Sequence, residues 1–197
     1  MKTLTYVSTK GVDELVWPAI SSNTDLYSSA LLVFTDFQKT GPRVIESHTQ
    51  AYDLALLMKK EHVRMKMVVD EANHFVGIIS LEDLTEDVFI KHIANGFRRN
   101  ELLVSDLMRP KESLIALSYS SLKKSDIESL IFSQRNNMFQ HLLVMDEDIR
   151  SIRGIISSND VARQLRLDVD IACSNFAQIY EKAITSNNKR SEERQVA

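Results

Sequence analysis

The chain repeats one phrase. Gly77-Ile78-Ile79-Ser80-Leu81-Glu82-Asp83-Leu84 returns 77 residues on, counted from Ser80 to Ser157, as Gly154-Ile155-Ile156-Ser157-Ser158-Asn159-Asp160-Val161. Each copy follows an apolar run ending in Asp: Met67-Val68-Val69-Asp70, then Leu143-Val144-Met145-Asp146. An octet held at Gly, Ile, Ile, Ser and Asp, with aligned segments ahead of it, marks two copies of one supersecondary unit. A single small sheet with two helices leaves much apolar surface uncovered, so the copies are expected to pack on each other.

The local patterns give each unit the same order. Val44 and Ile45 predict a short strand, and Ser47-His48-Thr49-Gln50 has capping-box spacing ahead of a helix face of Ala51, Leu54, Ala55 and Met58. Met65 to Val69 reads as a buried strand, Asp70-Glu71-Ala72-Asn73 as a hairpin turn and Phe75 to Ile79 as its return. Ser80 and Asp83 then open a helix reaching about His92. In the second unit Leu114 to Leu117 is strand-like, and Ile127, Leu130 and Ile131 mark a helix face. Leu142 to Met145 and Ile152 to Ile156 pair across a turn one residue longer, and a helix starts near Asn159. The fold class is therefore α+β: two strand-helix-strand-strand-helix repeats packed face to face as one pseudo-twofold module, with helical N- and C-terminal extensions. The expected divisions are an N-terminal extension over 1–29, repeats over 30–95 and 96–167, a C-terminal helix over 168–186 and a disordered polar tail over 187–197.

Composition narrows the function. A net charge of −3 with no long basic stripe argues against a nucleic-acid surface. No apolar run approaches the roughly 20 residues of a membrane span, and Lys2 and Lys10 flank a polar stretch, not a secretory signal. The single Cys173 permits no internal disulfide, which points to a reducing, cytoplasmic setting.

Ser-x-x-Asp at a helix start has two readings. As a capping box it contributes roughly 0.5–2 kcal/mol and requires no ligand. In the sharper reading, the free N–H groups of a helix start receive a phosphate, the Ser hydroxyl donates to it, and a nearby carboxylate accepts from both hydroxyls of a ribose. Anion at the helix start with a carboxylate just behind is a nucleoside-phosphate pattern.

Val104-Ser105-Asp106-Leu107-Met108, the apolar strand ending in Asp and the doubled Gly-Ile-Ile-Ser-x-x-Asp together resemble the cystathionine β-synthase (CBS) domain, and two in tandem resemble a Bateman module. The resemblance covers about residues 30–167. It implies a regulatory module binding adenine nucleotides (AMP, ADP or ATP) or S-adenosylmethionine as ligand, not as a required cofactor, in clefts between the repeats. It nominates Ser80 and Asp83 for one cleft and Ser157 and Asp160 for the other. For base contacts it nominates Val44, Ile45, Met65 and Lys66 in the first repeat, and Leu114, Ile115, His141 and Leu142 in the second. It also implies discs of two modules, hence a homodimer. The first repeat departs from the family's entry pattern, with Leu32-Val33-Phe34-Thr35-Asp36-Phe37 in its place.

Other signals are weaker. His48, His62, His74, His92 and His141 lack metal-ligand spacing, and Glu82, Asp83, Glu86 and Asp87 read first as acids favoured at a helix start. Arg98 and Arg99 read as a solvated connector, with a phosphate contact as the sharper alternative. No nucleophile elbow, P-loop or dinucleotide fingerprint occurs, so catalysis is not expected. Two functions remain: a nucleotide sensor signalling to an effector protein, or a ligand-free dimeric scaffold that uses its terminal extensions.

Overall fold

The computed structural model describes residue 8 and residues 24–169 and 174–196. Most of the N-terminal extension expected over 1–29 lies outside these residues, as does Cys173. Eight strands run in chain order: β1 Phe34–Asp36, β2 Val44–Glu46, β3 Met65–Val69, β4 Phe75–Ser80, β5 Arg109–Pro110, β6 Ala116–Ser118, β7 His141–Asp146 and β8 Ser151–Ser157. The helices are α1 Ala51–Lys60, α2 Glu86–Ala94, α3 Val104–Leu107, α4 Tyr119–Leu122, α5 Ile127–Ser133, α6 Ser158–Leu165 and α7 Phe176–Val196, with 3-10 turns at Ala30–Val33, Leu81–Leu84 and Lys111–Ser113.

The strands form two mixed four-stranded sheets, ordered β2-β3-β4-β5 and β1-β8-β7-β6. These orders record an exchange. β1, which leads into the first repeat, pairs antiparallel with β8 of the second. β5, which leads into the second, pairs antiparallel with β4 of the first. The boundary drawn at 95/96 therefore divides the sequence but not the sheets.

The exchange explains the glycine of the repeated phrase. A Cβ on Gly77 would run into the backbone carbonyl of Arg109, and one on Gly154 into that of Thr35. Only a residue without a side chain lets the incoming strand lie this close. β1 is also held by charge. Arg153, beside Gly154, donates from Nε and Nη2 to the two oxygens of Asp36 at 2.8 and 3.1 Å, and its guanidinium covers the Tyr119 ring. That hydrogen bond holds the Asp36 carboxyl below its ordinary range.

Each sheet buries its outer face under its own helices. Leu54, Met58, Val68, Ile79 and Phe89 centre one core, and Leu130, Val144, Ile156, Val161 and Phe176 the other. The inner faces meet through Met65, Met67 and Ile78 on one side and Leu143 on the other. The face-to-face packing expected from the repeat is thus present, with each apolar sheet covered on both sides.

Several local expectations shift. Gln50 is the N-cap of α1 and gives no side-chain cap, and the N–H of Ala51 donates to the Leu102 carbonyl at 2.9 Å. The helix expected from Ser80 to His92 is a 3-10 turn and then α2, separated at Thr85. Leu114 and Ile115 precede β6 because the turn at Lys111–Ser113 delays it. The backbone of α7 continues past Ser186 to Val196.

Candidate functional site

Both copies of Ser-x-x-Asp lie at one end of the sheet interface. Ser80 ends β4 directly across from Met65, and Ser157 ends β8 directly across from His141. Alternation along a strand turns these four residues to the same face as Met67, Ile78 and Leu143, towards the opposite sheet.

In the first copy the motif folds onto itself. Ser80 donates from its backbone N–H and its hydroxyl to Asp83 Oδ2, at 2.8 and 2.6 Å. Over them lies Arg109 of the exchanged β5, Nη2 at 3.4 Å from Ser80 Oγ and Nε at 3.5 Å from Asp83 Oδ2. The guanidinium stacks 4.9 Å from the centre of the Phe139 ring, which arrives from the second repeat. Arg109 Nε is buried and, among the described residues, has no hydrogen-bond partner of good geometry. Beside Phe139, Gln140 accepts from Arg64 Nη1 at 3.2 Å, a contact that joins the repeats. His141 completes the cleft. Burial first, then the positive charges of Arg109 and Arg64, lower its pKa to about 4, so the ring is neutral at pH 7.

The second copy is open. Ser157 Oγ accepts from Asn159 N–H at 3.2 Å, and Asp160 turns away from it to Arg163, 2.5 Å distant. Burial raises the Asp160 pKa, and Arg163 opposes that shift. Asp160 and Arg163 line a cavity of about 180 Å3 whose far wall is Val33, Phe34 and Thr35 of the exchanged segment. Thr35 stands across from Ile155 as Arg109 stands across from Ile78. A short hydroxyl thus occupies the place of the arginine. A partly buried carboxylate, a hydroxyl and a cation around a cavity have the means to hold a sugar diol and an anion.

The CBS domain family model matches residues 35–89, the first strand-to-helix unit with its Ser80 and Asp83. The chain therefore carries a CBS domain over these residues. Its two four-stranded sheets are consistent with a tandem CBS pair. No curated protein matches the sequence. Among solved structures, an uncharacterized conserved protein of Pyrococcus horikoshii is 16% identical, over 75% of this chain and 98% of its own, at a TM-score of 0.53. A CBS-domain containing protein of Agrobacterium tumefaciens is 18% identical over 77% and 98%, at 0.50. CBSX2 in complex with AMP is 23% identical over 70% and 94%, at 0.49. At these identities the likeness to the first two is one of fold alone.

The nominated residues separate into three groups in this fold. Ser80, Asp83, Met65 and His141 gather with Arg109, and Ser157 and Asp160 mark the second cleft. Val44, Leu114 and Ile115 meet elsewhere, in a cavity between Met67 and Leu143 at the opposite end of the interface. Ile45, Lys66 and Leu142 face the helices: Ile45 packs on the first outer core, Lys66 pairs with Glu61 at 3.3 Å and Leu142 is in the second outer core. Consecutive strand residues point to opposite faces, so in Val44-Ile45, Met65-Lys66 and His141-Leu142 the first side chain of each pair is turned to the sheet interface and the second to the helices.

Arg109, Phe139, Gln140 and Thr35 were not legible as cleft residues, since each enters from the other repeat. Arg99 stacks on Tyr52 and Phe89 and pairs with Glu86, while Arg98 pairs with Glu101, so neither reaches a cleft. Among the described residues no cluster of His, Cys, Asp or Glu is arranged to hold a metal ion, and no helix is long and apolar enough to cross a membrane.

Proposed function

We propose that this CBS pair is a regulatory module that binds an adenine nucleotide (AMP, ADP or ATP, with S-adenosylmethionine as a further candidate) between its repeats and signals to a partner protein. The observation that carries the reading is the second cleft. There a partly buried Asp160 at a helix start faces a cavity whose opposite wall comes from the other end of the chain. A ligand bridging α6 and the exchanged segment would touch elements 125 residues apart, Asp160 and Thr35. It would bias their relative position by its differential affinity for the two arrangements. Binding and not catalysis is the expected output, in the cytoplasm and in a homodimer. Leu56 and Leu57 of α1 and Ile90 and Ile93 of α2, exposed on one repeat, are candidate self-association contacts.

The first cleft favours a second reading, because Arg109 fills it from within. If both clefts are closed to ligand, the pair is a dimeric scaffold. Thermal unfolding against AMP, ADP, ATP, S-adenosylmethionine and GTP, with and without magnesium, decides between them. A ligand at 100 times its Kd stabilises the native state by about 2.7 kcal/mol. Selective stabilisation by an adenine ligand, weakened roughly 10- to 100-fold in Asp160→Ala, is the expected result. Silence from protein free of co-purified nucleotide selects the scaffold.

A further inference from the structure

The end of the sheet interface away from both motifs holds a cavity of about 950 Å3. Its floor is set by the two central strands, Met67 and Val69 of β3 against Leu143 and Met145 of β7. Phe37 and Phe75 add aromatic walls. Volume and apolar lining are those of a small-molecule site, and they leave apolar surface uncovered between two otherwise packed sheets. The mouth carries Lys111 and Arg150, and no acidic residue lines the cavity. Among the described residues neither cation is in an ion pair. Arg150 sits at φ 50° in the β7–β8 turn, matched 77 residues earlier by Asn73 at φ 61° in the β3–β4 turn, so two tight hairpin tips frame the opening. Hydrogen-bonding groups that would read a base or a sugar are few, Asn73 and Ser151 among them.

We propose that this cavity binds an elongated amphiphile with an apolar chain and one anionic head, of the fatty-acid class. The chain lies between the central strands and the head meets Lys111 and Arg150. The site is independent of the nucleotide clefts, with which it shares no lining residue, so it stands or falls separately from the sensor reading.

Calorimetric titration of the full chain with dodecanoate, decanoate and octanoate below their micelle concentrations tests it. Saturable binding of one molecule per chain is expected, weakening about fourfold for each methylene removed. Lys111→Glu and Arg150→Glu, both on the surface, should each weaken dodecanoate about tenfold. Ala116→Trp, at an exposed position on the wall, should abolish binding while leaving the unfolding temperature within a few degrees. The proposal is overturned by absent binding, by binding that ignores Ala116→Trp, or by equal affinity for dodecyltrimethylammonium. It is also overturned if gel filtration shows a dimer that Ala116→Trp dissociates, since the face would then belong to a second copy.

Discussion

The two copies of Gly-Ile-Ile-Ser-x-x-Asp share a backbone role and differ in side-chain state. In both, the glycine admits a strand from the other repeat and the serine ends a central hairpin. In the first copy Asp83 is held by Ser80 and covered by Arg109; in the second Asp160 is released from its serine and lines a cavity. The strand delivered to the site makes the difference, with arginine on β5 and threonine on β1. Local motif and ligand access are thus set by different stretches of chain.

The largest expected effect tests the closed cleft through His141. Its pKa of about 4 in the folded protein lies below the 6.5 of a free imidazole. Between these values the unfolded chain binds the additional proton, so stability falls as pH drops from about 6.5 and the loss levels off below about 4. The loss amounts to about 3 kcal/mol at most. His141→Met, which installs the residue found across from Ser80, should remove that part of the slope in urea unfolding at pH 7 and pH 4.5. An unchanged difference between the two pH values would place His141 in solvent.

Next is the shared feature. Gly77→Ala and Gly154→Ala should each cost about 1–3 kcal/mol by forcing the exchanged strand away. Gly41→Ala, with no neighbouring atom in reach of its Cβ, should stay within about 0.5 kcal/mol. If one motif glycine tolerates alanine, the exchange is not close-packed at that end and the symmetry of the comparison breaks.

The smallest effect addresses the asymmetry itself. Arg109→Ala removes the cation from Ser80 and Asp83 and should turn one nucleotide site per chain into two, with affinity in the first cleft raised about tenfold, or ~1.4 kcal/mol. Calorimetric stoichiometry reads this directly. Two sites in the unaltered protein would show that Arg109 moves aside for ligand.

The doubled phrase, the hairpins and the helix starts were legible because hydrophobic period and turn chemistry act over a few residues. The facing of strand residues was not legible in β3, where all five residues are buried and no polar alternation marks a side. Lys66 illustrates this: the family resemblance nominates it together with Met65, and its side chain pairs with Glu61 on the helix side of the sheet. Phe139 and Gln140 carried no signal because their partners Arg109 and Arg64 are distant in sequence.

By itself the sequence determined a duplicated α+β unit and the two Ser-x-x-Asp helix starts, since these depend on contacts within one repeat. The tertiary structure decided which strand joins which sheet, and so which cleft is filled by Arg109 and which is open beside Thr35. A three-residue strand such as β1 has too little pattern to name its neighbour. It pairs where Gly154 leaves room and Arg153 supplies the opposite charge for Asp36, and that coincidence exists only once the chain has folded.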